Sequence, residues 1–365
     1  MDRRSFLARA AAFPIAASLP SLAAAQERSF APTPGTWRTF EITTRLEIAD
    51  AGTGTQAWVP VPDIDASWQR SLESRWSGNM KEAALRADPS SAARMVHATW
   101  ADGESAPVIE VVSRIQAQDR RHDWAAPPAN PPAPPDLASY LKATELMPTD
   151  GIVRATAERI TAGAATDEAK VRALFEWVVD NTYREPKVRG CGVGDIKAML
   201  ETGNMGGKCG DINALFVGLA RSVGVPGRDI YGIRVAKSAF GYRELGAGGP
   251  DISKAQHCRA EVWLASRGWV AMDPADVGKV MRLETGDWLK DTRHPVVAPV
   301  YRALYGGWEG NWMGYNVAHD VALPGSRAAK LGFFMYPQAE TRGERVDSLD
   351  PETFRYRITA REVTS

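Results

Sequence analysis

The sequence "GNMGGKCGDINALFVGLARSVGVPGR" covers residues 203–228 and places one cysteine, Cys209, between a glycine-rich turn and an amphipathic pattern. The apolar residues of that pattern follow the i, i+3, i+4, i+7 spacing of a buried helix face: Ile212, Leu215, Phe216 and Leu219. The pattern predicts a helix from Cys209 to about Ser222, ended by the Gly-Val-Pro that follows. Cys209 is then a packing residue, half of a disulfide, a metal ligand or a nucleophile.

The position of Cys209 in the first helical turn favours the nucleophile. Unpaired N–H groups and the helix dipole stabilise a thiolate there, and Lys208 adds a neighbouring cation. Gly206 and Gly207 allow a tight turn and leave room for a substrate beside the sulfur. The same N–H groups can stabilise an oxyanion, so the local sequence meets the needs of acyl transfer to a thiol.

A cysteine nucleophile needs a base and a group that orients the base. The chain has five histidines, and His257 begins the first strand of a predicted hairpin, "HCRAEVWLAS" followed by "WVAMDP", with its turn at Arg267-Gly268. Asp273 ends the second strand, nearly opposite His257. The motif "DPAD" also offers Asp276, but Asp273 fits the hairpin register better.

These segments together resemble the core of the transglutaminase-like superfamily, a group related to papain. The resemblance lies in "GGKCGDINALFVGLARSVGVPGR", "HCRAEVWL" and "GWVAMDP", in that order, and covers roughly residues 165–280. It implies an α+β fold in which the helix carrying the nucleophile packs on an antiparallel sheet. It also implies that Cys209 is the nucleophile, His257 the general base and acid, and Asp273 the orienting group.

The resemblance further implies the reaction and its partners. The expected activity is that of a peptidase, an amidase or a transglutaminase-type acyl transferase, which acts through a thioester on protein, peptide or cell-wall peptide. No cofactor and no metal are expected. The sequence leaves open whether water or a second amine resolves the thioester.

Several other residues have more than one possible role. Cys258 follows His257 on a strand, so we expect it to point away from the site and pack in the core. Cys191 can line the cleft, pair with Cys258 or pack. A zinc site built from Cys191, Cys209, His257 and Cys258 is disfavoured because no paired C-x-x-C occurs. Tyr183 and Asn204 are candidate oxyanion donors.

The first residues are expected to direct export. They contain Arg3-Arg4, a weakly apolar stretch and Ala23-Ala24-Ala25, the pattern of a twin-arginine signal cleaved after Ala25. The predicted location is the periplasm, with no transmembrane anchor after cleavage. The formal net charge of +0 gives no electrostatic reason to expect a nucleic-acid partner.

The pattern of strands, helices and prolines predicts the domain organisation. Residues 37–62 and 94–117 alternate apolar and polar residues about turns, as antiparallel strand pairs do, and residues 351–362 predict a final strand. The expected units are a signal (1–25), an N-terminal β-rich domain (37–123), a proline-rich connector (124–136), a transglutaminase-like catalytic domain (137–330) and a C-terminal segment (331–365).

Two alternatives to an enzyme remain open from the sequence. The first is a non-catalytic binding module that keeps the fold. The second is a glycan-binding protein that uses the aromatic residues Trp308, Trp312 and Tyr315, which otherwise form a cleft wall or a small core. Specificity is expected to depend on residues 236–256 and 284–318, within which "GYRELGAGGPD" is a candidate lid.

Overall fold

A computed structural model describes residues 28–363, so the predicted export signal lies outside the described residues. Its α-helices are α1 Gly151–Ile160, α2 Asp167–Asn181, α3 Ile196–Thr202, α4 Cys209–Ser222, α5 Pro274–Leu283 and α6 Ala298–Leu304. Short 3-10 helices cover Leu137–Leu141 and Arg243–Leu245. No helix within this part of the chain is long and apolar enough to cross a membrane.

The strands of residues 28–363 fall into two large β-rich regions and several short pairs. They are β1 Arg38–Ile48, β2 Gln56–Pro60, β3 Gln69–Gly78, β4 Glu82–Ala87, β5 Arg94–Thr99, β6 Val108–Ala117, β7 Arg120–Arg121, β8 Tyr183–Arg184, β9 Gly206–Gly207, β10 Gly227–Arg234, β11 Gln256–Leu264, β12 Gly268–Met272, β13 Gly307–Trp308, β14 Trp312–Asn316, β15 His319–Val321, β16 Leu331–Phe333, β17 Gln338–Thr341, β18 Glu344–Val346 and β19 Phe354–Val363.

The helix predicted after Cys209 is confirmed as α4, and every one of its side chains is buried. It packs on an antiparallel sheet of order β12-β11-β10-β14. Helix α2 precedes it in the chain, and Thr166 caps α2 by accepting a hydrogen bond from the N–H of Ala169. The combination of a buried helix and an antiparallel sheet confirms the expected α+β class.

The β11–β12 hairpin has the predicted strands but a different turn. Strand β11 ends at Leu264 and β12 begins at Gly268, so three residues form the connection. Gly268 takes a φ of +83°, which glycine adopts without strain. Ala260 pairs with Met272, and this register places the first residues of β11 near the end of β12.

The N-terminal strands do not form the predicted pairs. Strand β1 lies in a sheet of order β19-β1-β6-β3, whereas β2 lies in another of order β18-β17-β2-β5-β4. Strands β5 and β6 are separated in the same way. Side chains from both sheets share one buried cluster, so the chain crosses repeatedly between two packed layers. The alternation of apolar and polar residues indicates which face of a strand is buried, but it does not indicate which strand pairs with it.

The C-terminal strands complete these two layers. The predicted final strand is β19, which pairs with β1 from Thr39↔Val363 to Ile48↔Phe354. Strand β17 likewise pairs with β2. These two layers also contact the sheet on which α4 packs, since the side-chain amide of Gln69 donates to and accepts from the backbone of Gly314 in β14, at 2.8 Å in each bond.

Candidate active site

Cys209 is the first residue of α4 and is 3% exposed. The carboxylate of Asp211 accepts hydrogen bonds from the backbone N–H groups of Lys208, Val193 and Gly194, each at 2.9 Å. The N–H of Gly210 donates to the carbonyl of Cys191 at 2.8 Å. Within residues 28–363 the N–H of Cys209 itself has no acceptor, so it is free to bind a substrate oxygen.

The loop before α3 fits closely against this helix start. Gly192 has a φ of +92°, and a Cβ atom placed on it would meet Oδ2 of Asp211 at 1.8 Å. Any other residue would displace the carboxylate that joins the loop to the first turn of α4. Gly192 therefore helps to hold Cys191 beside Cys209.

His257 lies at the start of β11 and bonds to two carboxylates through one ring nitrogen. Its Nε2 atom is 2.8 Å from Oδ2 of Asp273 and 3.3 Å from Oδ2 of Asp276. All three side chains are buried. Because Nε2 is engaged in this way, the other ring nitrogen, Nδ1, remains for a separate partner.

Two arginines balance the two carboxylates. Arg234 binds both oxygens of Asp276, at 2.6 and 2.8 Å. Arg259 has Nε 3.6 Å from Oδ2 of Asp273, and its guanidinium lies over the rings of Trp308 and Trp312 at 5.0 and 4.6 Å. Burial lowers the pKa of Arg259 to about 10. The site is thus a buried network of near-equal positive and negative charge.

Cys209 and His257 line one cavity of about 210 Å³, which we name the thiol cavity. Its lining residues are Arg184, Cys209, Arg234, Gly246, Ala247, Gly248, Asp251, Lys254, Ala255, Gln256, His257 and Lys279. The candidate lid 241–251 borders this cavity, and Arg234 holds it by donating to the carbonyl of Leu245 at 2.8 Å. The structure therefore places Cys209 and His257 on one cavity, with Asp273 bound to Nε2 of His257.

The charges around Cys209 favour its thiolate. The pKa of Cys209 lies well below the ordinary value, because the neighbouring thiols of Cys191 and Cys258 and the imidazole of His257 stabilise the anion against the cost of burial. Burial opposes the imidazolium of His257, but Asp276 and Asp273 raise its pKa to about 9. Both shifts favour a thiolate–imidazolium pair over the neutral thiol and imidazole.

The three cysteines form a cluster of free, buried thiols. Cys258 is fully buried and packs in the core, as expected, and it does not line the thiol cavity. Burial and the adjacent Cys209 anion raise the pKa of Cys258 well above its ordinary value.

The structure describes one group of potential metal ligands whose atoms lie within 4.8 Å of one another among residues 28–363: His257, Asp273 and Asp276. Arg234 and Arg259 already supply positive charge to these carboxylates, so the group is arranged as an ion-pair network. The four donor atoms of Cys191, Cys209, His257 and Cys258 do not come within the same range of one another.

Other sequence candidates lie outside the thiol cavity. The hydroxyl of Tyr183 contacts Oδ1 of Asn204 at 3.4 Å, and neither residue lines the cavity. Trp308, Trp312 and Tyr315 are buried in the core, so they form no cleft wall. Trp312 instead donates from Nε1 to the carbonyl of His257 at 3.0 Å and helps to position it.

The sequence analysis missed several residues of the site, among them Arg234, described above, and three others. Asn213 donates to Asp273, Arg259 lies beside Asp273, and Gln256 lines the thiol cavity with a buried amide nitrogen that has no partner within residues 28–363. Asn213 stands four residues after Cys209, so helical periodicity was the available signal. No comparable signal marks Arg259 or Gln256 in the sequence.

Known proteins share this fold and sequence. The family described as the transglutaminase-like superfamily matches residues 154–274. An uncharacterized protein of Haemophilus influenzae is 35% identical over 325 residues, which is 85% of this chain and 86% of that protein. A candidate cysteine protease from Cytophaga hutchinsonii is 15% identical, with a TM-score of 0.50 over 90% of this chain and 99% of that chain.

A further solved structure, the periplasmic domain of TgpA from Pseudomonas aeruginosa, is 13% identical with a TM-score of 0.35 over 74% of this chain and 100% of that chain. The chain belongs to the transglutaminase-like superfamily, which is related to papain-like cysteine proteases. Proteins of this superfamily are typically cysteine proteases or acyltransferases that act on proteins or peptides.

Proposed function

We propose that this protein is an exported cysteine-dependent amide-bond enzyme that uses Cys209, His257 and Asp273. The observation that carries the proposal is the thiol cavity itself. It exposes a helix-start thiol and an imidazole to one space, while the far side of the imidazole binds Asp273 at 2.8 Å. Periplasmic location is part of the proposal and rests on the twin-arginine pattern of residues 1–25.

In the first half of the reaction the Cys209 thiolate attacks an amide carbonyl carbon and forms a C–S bond. The carbonyl oxygen becomes an oxyanion, for which the free N–H of Cys209 and the unpartnered amide of Gln256 are the nearby donors. The His257 imidazolium then gives its proton to the leaving nitrogen, the C–N bond breaks, and a thioester remains.

In the second half neutral His257 removes a proton from water or from a second amine. The activated oxygen or nitrogen bonds to the thioester carbon, and the C–S bond breaks to return the thiolate. Asp273 keeps the ring oriented and stabilises the imidazolium throughout. We assign this role to Asp273 because Asp276 lies farther from Nε2 and has both its oxygens bound by Arg234.

The test is the alkylation rate of each cysteine by iodoacetamide as a function of pH, with peptide mapping of the label. We expect Cys209 to react rapidly well below pH 8, and more slowly in His257→Ala. Cys191 and Cys258 serve as internal controls, because their raised pKa values keep them as unreactive thiols. An ordinary thiol titration at Cys209 would contradict the proposal and favour a non-catalytic binding module.

A further inference from the structure

A second cavity, of about 530 Å³, adjoins the thiol cavity and is lined by basic side chains. We name it the cationic cleft. Its charged lining residues are Arg184, Arg189, Lys208, Lys254 and Arg355, and no aspartate or glutamate lines it. The chain as a whole has a formal net charge of +0, so this is a local concentration of one sign.

Most of these charges are not neutralised by the protein. Arg189 pairs with Asp347 at 2.6 Å, but the other four form no ion pair with any carboxylate of residues 28–363. The Nε atom of Arg184 is buried without a hydrogen-bond partner in the same part of the chain. Buried polar groups normally find a partner, so Arg184 is prepared for a ligand the protein does not supply.

The backbone holds these cations close to one another. The short parallel pairing of β8 with β9 sets Arg184 beside Gly207, immediately before Lys208. Burial, followed by the charge of Arg184, lowers the pKa of Lys208. Placing like charges together is unfavourable, and an anion in the cleft would relieve the repulsion.

The cationic cleft lies next to the thiol cavity and shares lining residues with it. Arg184, Lys254 and Gln256 line both cavities. The cleft also contains apolar surface from Tyr336, Leu349, Phe354 and Tyr356. A chain with its reacting carbonyl at Cys209 would therefore extend past Arg184 and Lys254 into a region suited to a peptide that bears carboxylates.

We propose that the cationic cleft binds carboxylate groups of an acidic peptide, next to the amide bond that Cys209 attacks. This inference rests on the function proposed above, since it places the carboxylates relative to a reacting carbonyl. It names Arg184 and Lys254 as the residues that decide specificity, because they alone among the cleft cations also line the thiol cavity.

The first experiment compares iodoacetate with iodoacetamide, which differ by one negative charge, as reagents for Cys209. We expect the iodoacetate-to-iodoacetamide rate ratio to exceed that of N-acetylcysteine. In Arg184→Gln/Lys254→Gln the ratio is expected to fall by about three- to tenfold. The ratio of the wild type is expected to fall as ionic strength rises from about 0.01 to 0.15 M.

The matched control is Arg86→Gln/Arg154→Gln, which removes two exposed charges outside both cavities and is expected to keep the wild-type ratio. Failure of the two proposals is distinguishable. Slow reaction of Cys209 with neutral iodoacetamide would contradict the catalytic proposal. Rapid reaction with iodoacetamide, but an equal ratio in wild type and Arg184→Gln/Lys254→Gln, would overturn the cationic cleft alone.

A second experiment identifies the kind of anion. Capped tetraglutamate is expected to slow labelling of Cys209 by iodoacetamide, and capped tetraglutamine is expected to slow it much less. The protection is expected to be lost in Arg184→Gln/Lys254→Gln. Equal or absent protection by the two peptides would overturn the proposal, as would stronger protection by tripolyphosphate, which would assign the cleft to a phosphate ligand.

Discussion

Asn213 donates a hydrogen bond from Nδ2 to Oδ1 of Asp273 across 3.2 Å. Asn213 stands four residues after Cys209 on α4, so both side chains lie on one face of the same helix. The amide also donates to the carbonyl of Cys258 at 2.9 Å and accepts from the N–H of Ala275 at 3.2 Å. One helix thus carries the thiol and fixes the carboxylate that binds His257.

Replacing Asn213 is expected to disturb stability and reactivity together. Asn213→Ala leaves the carbonyl of Cys258 and the N–H of Ala275 buried without their partner, which costs about 1–3 kcal/mol of unfolding free energy. It also loosens Asp273, so we expect slower alkylation of Cys209 near pH 7. Urea unfolding and the alkylation pH profile measure the two effects.

The control for this change is Asn181→Ala. Asn181 is exposed at the end of α2, and its side chain bonds only to the carbonyl of Trp177 among residues 28–363. We expect its unfolding free energy to change by about 0.5 kcal/mol or less. An Asn213→Ala protein with a wild-type alkylation profile would show that Asn213 does not position Asp273.

Replacing Asp273 and replacing Asp276 are expected to have different effects. The first should change the alkylation profile of Cys209, and the second should mainly lower the unfolding free energy. Asp273→Asn keeps the Arg234–Asp276 pair but weakens the imidazolium, so the acid limb of the Cys209 alkylation profile moves to higher pH. Asp276→Asn leaves Arg234 buried and unpaired, which is expected to cost about 3–5 kcal/mol of unfolding free energy. A wild-type acid limb in Asp273→Asn, together with a shifted limb in Asp276→Asn, would assign the orienting role to Asp276.

The stability of Cys209→Ala is expected to fall as pH rises from about 6.5 through 9. The pKa of His257 is raised from 6.5 to about 9, so its contribution is fully present below pH 6.5 and is lost through pH 9. That contribution is about 3 kcal/mol for a shift of this size. In the wild type Cys209 acts in the opposite sense, because its pKa is lowered and its contribution is lost as pH falls.

Urea unfolding at several pH values across this range measures how the unfolding free energy changes with pH. The wild type is expected to show a smaller loss of unfolding free energy over this range than Cys209→Ala, since the lowered pKa of Cys209 opposes the raised pKa of His257. The double variant Cys209→Ala/His257→Gln is the control. It has no imidazole at position 257, so its unfolding free energy is not expected to fall over this pH range. A flat profile in Cys209→Ala itself would mean that the imidazolium of His257 is not stabilised in the folded protein.

Gly192→Ala is expected to disrupt the start of α4. The added Cβ would meet Oδ2 of Asp211 at 1.8 Å, in a backbone conformation of φ +92°. The control is Gly163→Ala, which has φ +84° but no atom within 4 Å of the added Cβ, so it carries only the backbone cost of about 1–2 kcal/mol. We expect Gly192→Ala to lose more unfolding free energy than the control in urea unfolding. We also expect its Cys209 to be alkylated more slowly than that of the control.

Much of the site was predictable because its signals are local. The 3.6-residue period after Cys209 sets both the length of α4 and the position of the cysteine in its first turn. The hairpin pattern brings His257 and Asp273 together within a few residues of register, even though the turn is centred differently from the prediction. The strand alternation of the N-terminal region likewise identifies β1 and β2 as strands.

The pairing of those strands was not predictable from the same signals. Strand β1 pairs with β19, which lies at the opposite end of the chain. This pairing depends on the burial of both sheets against a shared core.

The sequence by itself determined the helix that carries Cys209, the strand that carries His257, the strand that ends just before Asp273, and the family resemblance that connects them. These features depend on short-range periodicity and on side-chain types, which a linear sequence contains directly. Tertiary structure alone decided that Asp276 shares His257 with Asp273, that Arg259 lies between two tryptophans, and that unpaired cations from four separate segments meet beside the thiol. Electrostatic energy depends on distance in space, so charges far apart in the chain acquire their effect only when the fold brings them together.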